Sequence, residues 1–352
     1  MVFDALSDGG HEQVSHFSDP ETGLQAIIAI HDTSLGPGLG GTRILDYDTD
    51  ADALEDALRL SGAMTMKAAA ADLDLGGAKA VILGDHAEIK TDELLRAYGR
   101  AVDCLGGRYI TSVDVNTGVP DMEIIAEETE YVVGREDGLG DPSPITATGV
   151  LYGLLAAVEF QYGTDDVGDV RVVVQGLGKV GSALASDLID RGASVTVSDV
   201  NQENIDRFLA DHDAAVVEPE AVYDEPCDVF APCAIGGVIN DETIPRLECD
   251  IVAGAANNIL AERRHAEALA DRDILYAPDY VINAGGLITV AEEYVGGDRE
   301  SAFEKATAIG DRLTRMMERA EETDSTVLAA ADEYARERIE ASDRTTPATF
   351  DN

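Results

Sequence analysis

Apolar and polar positions in the first part of the chain follow two alternating periodicities. Strand-like apolar runs occupy residues 22–31, 78–83 and 108–113. Between them lie segments with helical spacing: 53–67, preceded by the capping residues Thr49 and Asp50, and 92–106, capped by Thr91. Residues 114–123 are expected to form a loop that leads into a helix. This pattern predicts a unit that mixes helices and strands.

Residues 134–144 are rich in Gly, Asp and Pro, which predicts a domain boundary. A helix is expected over about 145–163. Short apolar strands then alternate with helices or loops, at 170–175, 194–200, 227–232, 250–255 and 274–279. Strands that alternate with helices predict a parallel, doubly wound sheet, and the chain is expected to be helical near 299–320 and 325–341.

The charge of the chain limits its partners. The 352 residues include 69 acidic and 25 basic ones, for a formal charge of −44, and only five are lysines. Such a field repels phosphate backbones and anionic lipids, so neither nucleic-acid nor membrane partners are expected. No uninterrupted apolar run reaches about 18 residues, and Met1–Asp4 lacks the pattern of a secretory signal. The simplest interpretation is a cytoplasmic protein of a salt-loving organism.

One glycine-rich turn predicts a dinucleotide site. The segment Gly176-Leu177-Gly178-Lys179-Val180-Gly181 fits GxGxxG, directly follows an apolar strand and opens a helix. The first glycine permits the tight turn, the second lets a pyrophosphate approach, and the third allows close helix–strand packing. Asp199 ends the next strand, where a carboxylate binds ribose hydroxyls and repels a 2′-phosphate, which favours NAD over NADP. Lys179 is interpreted as a solvated residue or one at the phosphate edge.

Two lysines stand out because lysine is so rare in this chain. Lys67 and Lys79 flank a segment of small residues that includes Gly76 and Gly77, and Asp114 follows a predicted strand. A lysine in such a setting can hold an anion, or its pKa can fall far enough for it to act as a general base. The alternative is a set of structural ion pairs.

Eight motifs in order resemble the Glu/Leu/Phe/Val (amino-acid) dehydrogenase family, and in particular its leucine-type members. They are GPGLGGTRI (36–44), MTMKAAAADLDLGGAKAVI (64–82), TSVDVNTGVPDM (111–122), SPITATGV (143–150), QGLGKVG (175–181), FAPCAIGGVIN (230–240), AGAANN (253–258) and YAPDYVINAGG (276–286). The resemblance implies an α/β fold with an N-terminal substrate domain, a Rossmann NAD-binding domain and a cleft between them. The implied limits are 1–138 for the substrate and oligomerisation domain, 139–322 for the NAD domain, and 323–352 for a C-terminal helix that returns to the first domain. It also implies a homo-oligomer, a hexamer or an octamer.

The same resemblance assigns roles to individual residues. The implied reaction converts an L-amino acid, water and NAD into a 2-oxo acid, ammonia and NADH. Lys67 would hold the substrate carboxylate, Lys79 would activate water as the general base, and Asp114 would shuttle the proton on the amino nitrogen. Three residues match positions near the nicotinamide and its ribose, namely Thr146, Asn257 and Asn283.

The substrate side chain is expected to meet an apolar pocket. Leu39 aligns with a lysine of glutamate-specific members, and the other matching pocket positions are small or apolar: Ser112, Leu287 and Val290. Burying a second carboxylate against them would cost several kcal/mol, about 3 or more. Branched-chain aliphatic amino acids are therefore expected, while glutamate and phenylalanine remain alternatives. Arg43 is the cation that could serve a glutamate side chain, although leucine-type members carry the same Thr-Arg pair.

Two other functions are weighed against this one. A 2-hydroxy-acid dehydrogenase would use a histidine as its acid and base, but all six histidines lie outside the eight motifs. A binding module that only senses NAD would not need the two lysines and the aspartate. The four cysteines show no CxxC spacing, so they are expected to be buried, reduced thiols, and no metal is predicted.

Overall fold

Two β-sheets organise the chain, each in its own unit. The computed structural model describes residues 9–342, so the expectation for Met1–Asp4 lies outside the described residues. Unit 1 comprises 1–140, 290–298 and 335–352, and unit 2 comprises 141–289 and 299–334, so the first crossing lies within the predicted boundary segment. These units reflect packing alone, and the functional domain limits given above remain a prediction.

Unit 1 is built on a mixed five-stranded sheet with the order β1-β2-β4-β3-β5. The pairs β1·β2 and β2·β4 are antiparallel, whereas β4·β3 and β3·β5 are parallel. The strands are β1 (Gln13–Asp19), β2 (Leu24–Asp32), β3 (Gly38–Leu45), β4 (Gly76–Leu83) and β5 (Tyr109–Val113). The helices up to residue 140 are α1 (Asp50–Ala70), α2 (His86–Ile89), α3 (Asp92–Asp103) and α4 (Val119–Ala126).

The two faces of this sheet have different partners. Ala78, Ala80 and Ile82 of β4 belong to a core cluster with residues of α3 and α4. Val81, on the opposite face, packs with Ala53 and Ala57 of α1. Because side chains alternate along a strand, Lys79 lies on the α1 face.

The sequence did not reveal β1 and β3 as strands. β1 is an edge strand whose seven positions are all half-buried or exposed, so its apolar alternation is weak. β3 carries the sequence GLGGTRIL, and its glycines indicate a turn. Three-dimensional packing overrides that local signal, since a Cβ at Gly40 would stand 1.7 Å from the carbonyl oxygen of Ala78. Only a strand without side chains at this position can sit between its neighbours.

Unit 2 contains the predicted parallel sheet, with the order β11-β10-β9-β6-β7-β8. All five strand pairs are parallel. Its strands are β6 (Arg171–Gln175), β7 (Ser194–Ser198), β8 (Ala215–Val216), β9 (Val229–Pro232), β10 (Ile251–Val252) and β11 (Leu275–Tyr276). Counted from β6, this is the doubly wound order 3-2-1-4-5-6, in which ligands bind where the order reverses, here between β6 and β9.

The helices after residue 140 are shared between the two units. They are α5 (Ser143–Tyr162), α6 (Lys179–Asp190), α7 (Gln202–Leu209), α8 (His265–Ala270), α9 (Asp279–Ile282), α10 (Gly285–Val295), α11 (Arg299–Thr307), α12 (Ile309–Thr323) and α13 (Val327–Ala341). The helix expected over 299–320 is thus divided in two at Ala308.

α5 is long and apolar enough to cross a membrane, with a mean hydropathy of 1.3 over its best 18-residue window. In the folded structure, 61% of that window is buried. Ile145, Val150 and Leu154 are among its fully buried side chains. Burial of this extent is typical of the core helix of a folded protein.

Candidate active site

Lys79 and Asp114 form a close ion pair across unit 1. Nζ of Lys79, on β4, lies 2.6 Å from Oδ2 of Asp114, which follows β5. β3 runs between these two strands, and the register places its Gly41 beside Ser112. A Cβ at Gly41 would come within 2.8 Å of Cβ of Asp114. The missing side chain at Gly41 therefore lets the lysine reach the aspartate over the middle strand.

The surroundings of this pair lower both pKa values. Burial is the main cause that depresses the pKa of Lys79, which is 6% exposed, and repulsion by Arg43 adds to it, against the attraction of Asp114. Burial raises the pKa of Asp114, but the neighbouring Lys79 and Arg43 outweigh it and bring that pKa below its usual value. Asp114 is thus ionised, while Lys79 loses its proton more readily than an exposed lysine.

A tight turn fixes the backbone at Asp114. The N–H of Asp114 donates to Oγ1 of Thr117 at 2.9 Å, and that hydroxyl donates to the carbonyl of Thr42 on β3 at 2.8 Å. Asn116 adopts a left-handed φ of 61°, which asparagine tolerates, and its amide donates to the carbonyl of Ile44. The turn holds Asp114 against the sheet edge.

Sequence reasoning named Arg43 only as a possible cation for a glutamate side chain and missed its contacts within the site. Its Nε donates to Oδ2 of Asp114 at 2.8 Å, and its Nη1 donates to Oδ2 of Asp56 on α1 at 2.9 Å. Asp114 is 71 positions away in the sequence, and no local spacing predicts this contact. The one available signal was the position of Arg43 two residues after Gly41.

The predicted substrate residues of unit 1 occupy the same face of the sheet. Leu39 pairs with Gly77 and Ser112 pairs with Gly41, so both share the face that carries Lys79. Leu39 is 1% exposed and Ser112 is 4% exposed. Lys67 is half-buried and lies in the last turn of α1, two residues after Thr65. Thr65 packs against β4, because a Cβ at Gly77 would stand 2.1 Å from the backbone N of Thr65.

The glycine turn of unit 2 has the geometry that a pyrophosphate needs. Gly176 has a φ of 103°, where a side chain would be strained, and a Cβ at Gly181 would stand 2.0 Å from the carbonyl oxygen of Gly176. A Cβ at Gly178 would meet no atom within 4 Å, so the space before it is open. Gly178 also precedes the first turn of α6, which begins with Lys179 and Val180 and directs its free N–H groups there. These residues fit a dinucleotide phosphate.

Asp199 lies directly beside this turn. Its Oδ2 accepts the N–H of Leu177 at 2.6 Å, and its Oδ1 accepts the N–H of Asn201 at 2.7 Å. Lys179 is largely exposed and pairs with Asp141 at 2.8 Å, and its hydrogen bond lowers the pKa of Asp141 to about 2. Lys179 is therefore a surface ion-pair partner at the edge of the turn.

The three residues expected near the nicotinamide fall into two groups of contacts in unit 2. Asn283 donates to Oδ1 of Asn257 at 2.9 Å and to the carbonyl of Ala255 at 3.2 Å. Thr146 lies against the start of α10, because a Cβ at Gly285 would stand 2.5 Å from Cα of Thr146.

The pocket positions Leu287 and Val290 lie three residues apart on one side of α10. Leu287 is 6% exposed. The first belongs to unit 2 and the second to unit 1, since α10 continues from one unit into the other.

One group among the described residues has the spacing of a metal site: Asp241, Glu262 and His265. Nδ1 of His265 accepts the N–H of Glu262, so Nε2 carries the ring proton and offers no lone pair to a metal. Arg264 also binds both carboxylates, at 2.6 and 3.0 Å. This chemistry is that of an ion-pair cluster.

The four cysteines are free thiols, as expected. Cys227 and Cys249 are buried and Cys233 is partly buried, but Cys104 is exposed, so the expectation of burial was wrong for that residue. Cys104 directly follows the last residue of α3, where the helix leaves the core.

Comparison with known proteins gives consistent matches along the chain. Residues 11–131 match "Glu/Leu/Phe/Val dehydrogenase, dimerisation domain", and residues 200–346 match "Glutamate/Leucine/Phenylalanine/Valine dehydrogenase". A leucine dehydrogenase of Thermoactinomyces intermedius is 48% identical over 99% of this chain and 96% of its own length. A phenylalanine dehydrogenase of Bacillus thermotolerans is 45% identical over 97% of this chain and 91% of its own. The crystal structure of L-tryptophan dehydrogenase from Nostoc punctiforme has a TM-score of 0.89 at 46% identity, covering 98% of this chain and 100% of that one.

A doubly wound parallel sheet with an open glycine turn is the architecture of a dinucleotide-binding α/β protein, and unit 1 adds a buried lysine–aspartate pair. The chain belongs to the Glu/Leu/Phe/Val dehydrogenase family. It is therefore an amino-acid dehydrogenase, an oxidoreductase of a family that generally uses NAD or NADP.

Proposed function

We propose that this enzyme catalyses the reversible oxidative deamination of branched-chain aliphatic L-amino acids with NAD. In the forward direction an L-amino acid, water and NAD⁺ yield a 2-oxo acid, ammonium, NADH and one proton. The observation that carries the proposal is the 2.6 Å contact between Lys79 and Asp114, because it joins a buried amine to an ionised carboxylate. A bound NAD would supply the acceptor for the hydride of the α-carbon, and loss of that hydride would leave the substrate as an imine.

The residues of unit 1 supply the acid–base chemistry. Lys67 binds the substrate carboxylate as a fixed cation, and Asp114 accepts a proton from the substrate nitrogen. Lys79, in its neutral form, removes a proton from the water that attacks the imine carbon. Burial and the charge of Arg43 lower the pKa of Lys79, so a neutral lysine is accessible to the reaction.

The preference for aliphatic substrates rests on Leu39 and Arg43. Leu39 is buried and carries no charge, so a γ-carboxylate beside it would lack a partner. Arg43 already binds Asp114 and Asp56, which argues against its use as the cation for a glutamate side chain. Ser112, Leu287 and Val290 are proposed as further substrate-binding residues.

NAD is favoured over NADP because of Asp199. This carboxylate lies at the glycine turn, where it can accept hydrogen bonds from both ribose hydroxyls and repels a 2′-phosphate. Gly176, Gly178 and Gly181 would hold the pyrophosphate. Thr146, Asn257 and Asn283 would orient the nicotinamide and its ribose.

Three broader properties belong to the proposal. The family description of residues 11–131 names a dimerisation domain, which supports a homo-oligomer, and a hexamer or octamer remains the prediction. The charge of −44 supports a salt-rich cytoplasm as its setting. Nucleic-acid or membrane partners are not part of the proposal.

A second candidate is an aromatic amino-acid dehydrogenase. The L-tryptophan dehydrogenase of Nostoc punctiforme is 48% identical over 98% of this chain, the same identity as the leucine dehydrogenase reported above. An apolar pocket widened by a few small substitutions would accept a ring. The identity of the substrate thus depends on pocket volume rather than on charge.

A substrate and cofactor panel tests the proposal. Leucine, valine, isoleucine, phenylalanine, tryptophan and glutamate are assayed in high salt with NAD and with NADP. We expect the aliphatic substrates to exceed glutamate by about a hundredfold in kcat/KM, since an unpaired buried carboxylate costs about 3 kcal/mol or more. Leu39→Lys should raise the relative use of glutamate.

Each outcome of the panel bears on one part of the proposal. A wild type that prefers glutamate overturns the pocket argument, and one that prefers an aromatic substrate supports the second candidate. Equal use of NADP and NAD would show that Asp199 does not select the cofactor. No turnover of any amino acid would contradict the acid–base roles of Lys79 and Asp114.

A further inference from the structure

Arg43 joins the candidate acid–base pair to a second carboxylate. β3, which carries it, lies between the strand of Lys79 and the strand that ends before Asp114. Its guanidinium donates to Oδ2 of Asp114 through Nε and to Oδ2 of Asp56 through Nη1. The arginine and both aspartates are largely buried, with side chains 16 to 21% exposed.

Asp56 is itself held from two other directions. Tyr47 donates to its Oδ2 at 2.7 Å, and Nη2 of Arg59 donates to its Oδ1 at 2.8 Å. Burial raises the pKa of Asp56, but the hydrogen bonds from Tyr47 and Arg59 and the charge of Arg43 outweigh it and bring the pKa below its usual value. Asp56 is therefore an ionised anchor that fixes where the guanidinium of Arg43 points.

The two cations leave one oxygen of Asp114 unengaged. Lys79 and Arg43 both bind Oδ2, at 2.6 and 2.8 Å. Within residues 9–342, no donor is bonded to Oδ1. An aspartate held by one oxygen in this way presents the other to a ligand in a fixed orientation.

We propose that Arg43, anchored by Asp56, is a positioning residue: it fixes Asp114 through Oδ2 and leaves Oδ1 for the substrate nitrogen. The charge of Arg43 also repels the protonated form of Lys79. This inference rests on the roles proposed above for Lys79 and Asp114. It assigns Arg43 to the reaction without direct contact between the arginine and the substrate.

The charges around Lys79 give the proposal a directional test. Strand β2 places apolar Ala29 opposite Lys79, and it also carries His31, whose Nδ1 is hydrogen-bonded to Oγ1 of Thr65 on α1. The other charged or titratable groups come from the other neighbouring elements. They are Arg43 on β3, Tyr47 after β3, Asp56, Arg59 and Lys67 on α1, and Asp114 after β5. Of these, Arg43 lowers the pKa of Lys79, whereas Asp114 and Asp56 raise it.

The two substitutions that follow should therefore shift the pH profile in opposite directions. Lys79 acts as a base only when neutral, so the rising limb of kcat/KM follows its pKa. Arg43→Gln removes a repulsive charge, which should raise that pKa and move the limb to higher pH by about half a unit or more. Asp56→Asn removes an attractive charge, which should move the limb to lower pH.

The experiment measures kcat, KM and the pH profile in high salt, with the full-length enzyme. Arg43→Gln should lower kcat about 10- to 100-fold, because Asp114 is no longer held, while KM for NAD changes less than about threefold. Arg43→Lys keeps the charge but not the two-sided hydrogen bonding, so it should return the limb towards wild type without restoring kcat. Arg96→Gln, on α3 and paired with Glu127, removes the same charge elsewhere in unit 1 and should change neither quantity.

The proposal is overturned if the rising limb of kcat/KM shifts in the same direction in Arg43→Gln and Asp56→Asn. It is also overturned if the limb stays at the wild-type pH in both variants. If Arg43→Gln does not fold, Asp56→Asn decides alone, because only the electrostatic role predicts a shift to lower pH. Failure of the proposed function is a separate result, since a wild type without amino-acid turnover would show it before any variant is compared.

Discussion

At the scale of single residues, Lys79 meets two opposite requirements. It must be charged to pair with Asp114, and it must be neutral to take a proton from water. Burial favours the neutral form and the carboxylate favours the charged one, and the net result is a pKa below the usual value for lysine. Arg43 shifts the same balance, since it repels Lys79 and also binds the oxygen that Lys79 binds.

Removal of each lysine side chain is expected to change a different kinetic parameter. Lys79→Ala should reduce kcat by about 10²–10⁴-fold, the usual contribution of a general base. Lys67→Ala should mainly raise KM for the amino acid, because the carboxylate loses its charged partner. Steady-state kinetics with leucine in high salt separates the two, and the Kd for NAD serves as the control.

NAD affinity within about threefold of wild type in both variants would show that unit 2 is intact. Lys79→Ala activity within tenfold of wild type would remove the lysine from the base role. An unchanged KM in Lys67→Ala would make Lys67 a structural residue.

The residues of this site differ in how far the sequence could reveal them. Lys67 and Lys79 were predicted because lysine is scarce and because both belong to recognisable motifs. Asp114 follows a strand with a clear apolar pattern. The contact of Arg43 with Asp114 depends on the order of three strands, and strand order is set by packing between segments far apart in the chain.

At the scale of elements, β3 decides whether the site can form. Its Gly41 lies between Lys79 and Asp114, and a Cβ there would stand 2.5 Å from the carbonyl oxygen of Val113 and 2.8 Å from Cβ of Asp114. Neither neighbour is the end of a flexible side chain, so the strand or the turn must shift. The glycines of β3 made this segment resemble a turn in the sequence. The absence of a side chain at Gly41 is nevertheless what allows Lys79 and Asp114 to meet.

Gly41→Ala is expected to displace Asp114 and separate it from Lys79. We expect kcat to fall about 100-fold, as small misplacements of catalytic groups do, and the free energy of unfolding to fall by about 1–3 kcal/mol from overpacking. Kinetics and denaturant unfolding in high salt measure the two effects.

Gly62→Ala on α1 is the matched control. Its Cβ would come no closer than 3.6 Å to the ring of His31, an ordinary contact, and alanine favours a helix. The control should retain kcat within about twofold and should not lose stability. Wild-type kcat in Gly41→Ala would contradict the view that the site depends on this close approach.

Other elements follow from local rules, which is why the sequence predicted them. Thr49 accepts the N–H of Asp52 at the start of α1, and Thr91 accepts the N–H of Leu94 at the start of α3. Gly163 ends α5 with a φ of 77°. Capping depends on residues within one turn, whereas β3 and the contacts of Arg43 depend on the whole sheet.

At the scale of the whole molecule, the formal charge of −44 makes repulsion between carboxylates the main electrostatic effect on the folded state. The acidic residues outnumber the basic ones along both units, so ion pairs can neutralise only part of the surface. At about 0.1 M salt the Debye length is about 10 Å and many carboxylates repel each other, whereas at about 1 M it falls to about 3 Å. The folded state carries more of this repulsion than the unfolded chain, because folding brings the charges together.

The protein is therefore expected to lose structure and activity as salt is removed. Circular dichroism, size-exclusion chromatography and turnover of leucine at about 0.1 M and about 3 M KCl should show a lower unfolding temperature and less assembly at the lower concentration. Sucrose at matched osmolality is the control, because it stabilises folded proteins by exclusion but does not screen charge. Recovery with KCl and not with sucrose would assign the effect to screening, whereas equal stability, assembly and turnover at both KCl concentrations would contradict it.

The buried pair of Lys79 and Asp114 should respond less to salt than the surface charges do, since buried charges are screened less than exposed ones. At intermediate KCl concentrations, the enzyme that is still folded should therefore keep the pH profile of kcat/KM that it has at about 3 M KCl, although its unfolding temperature is lower.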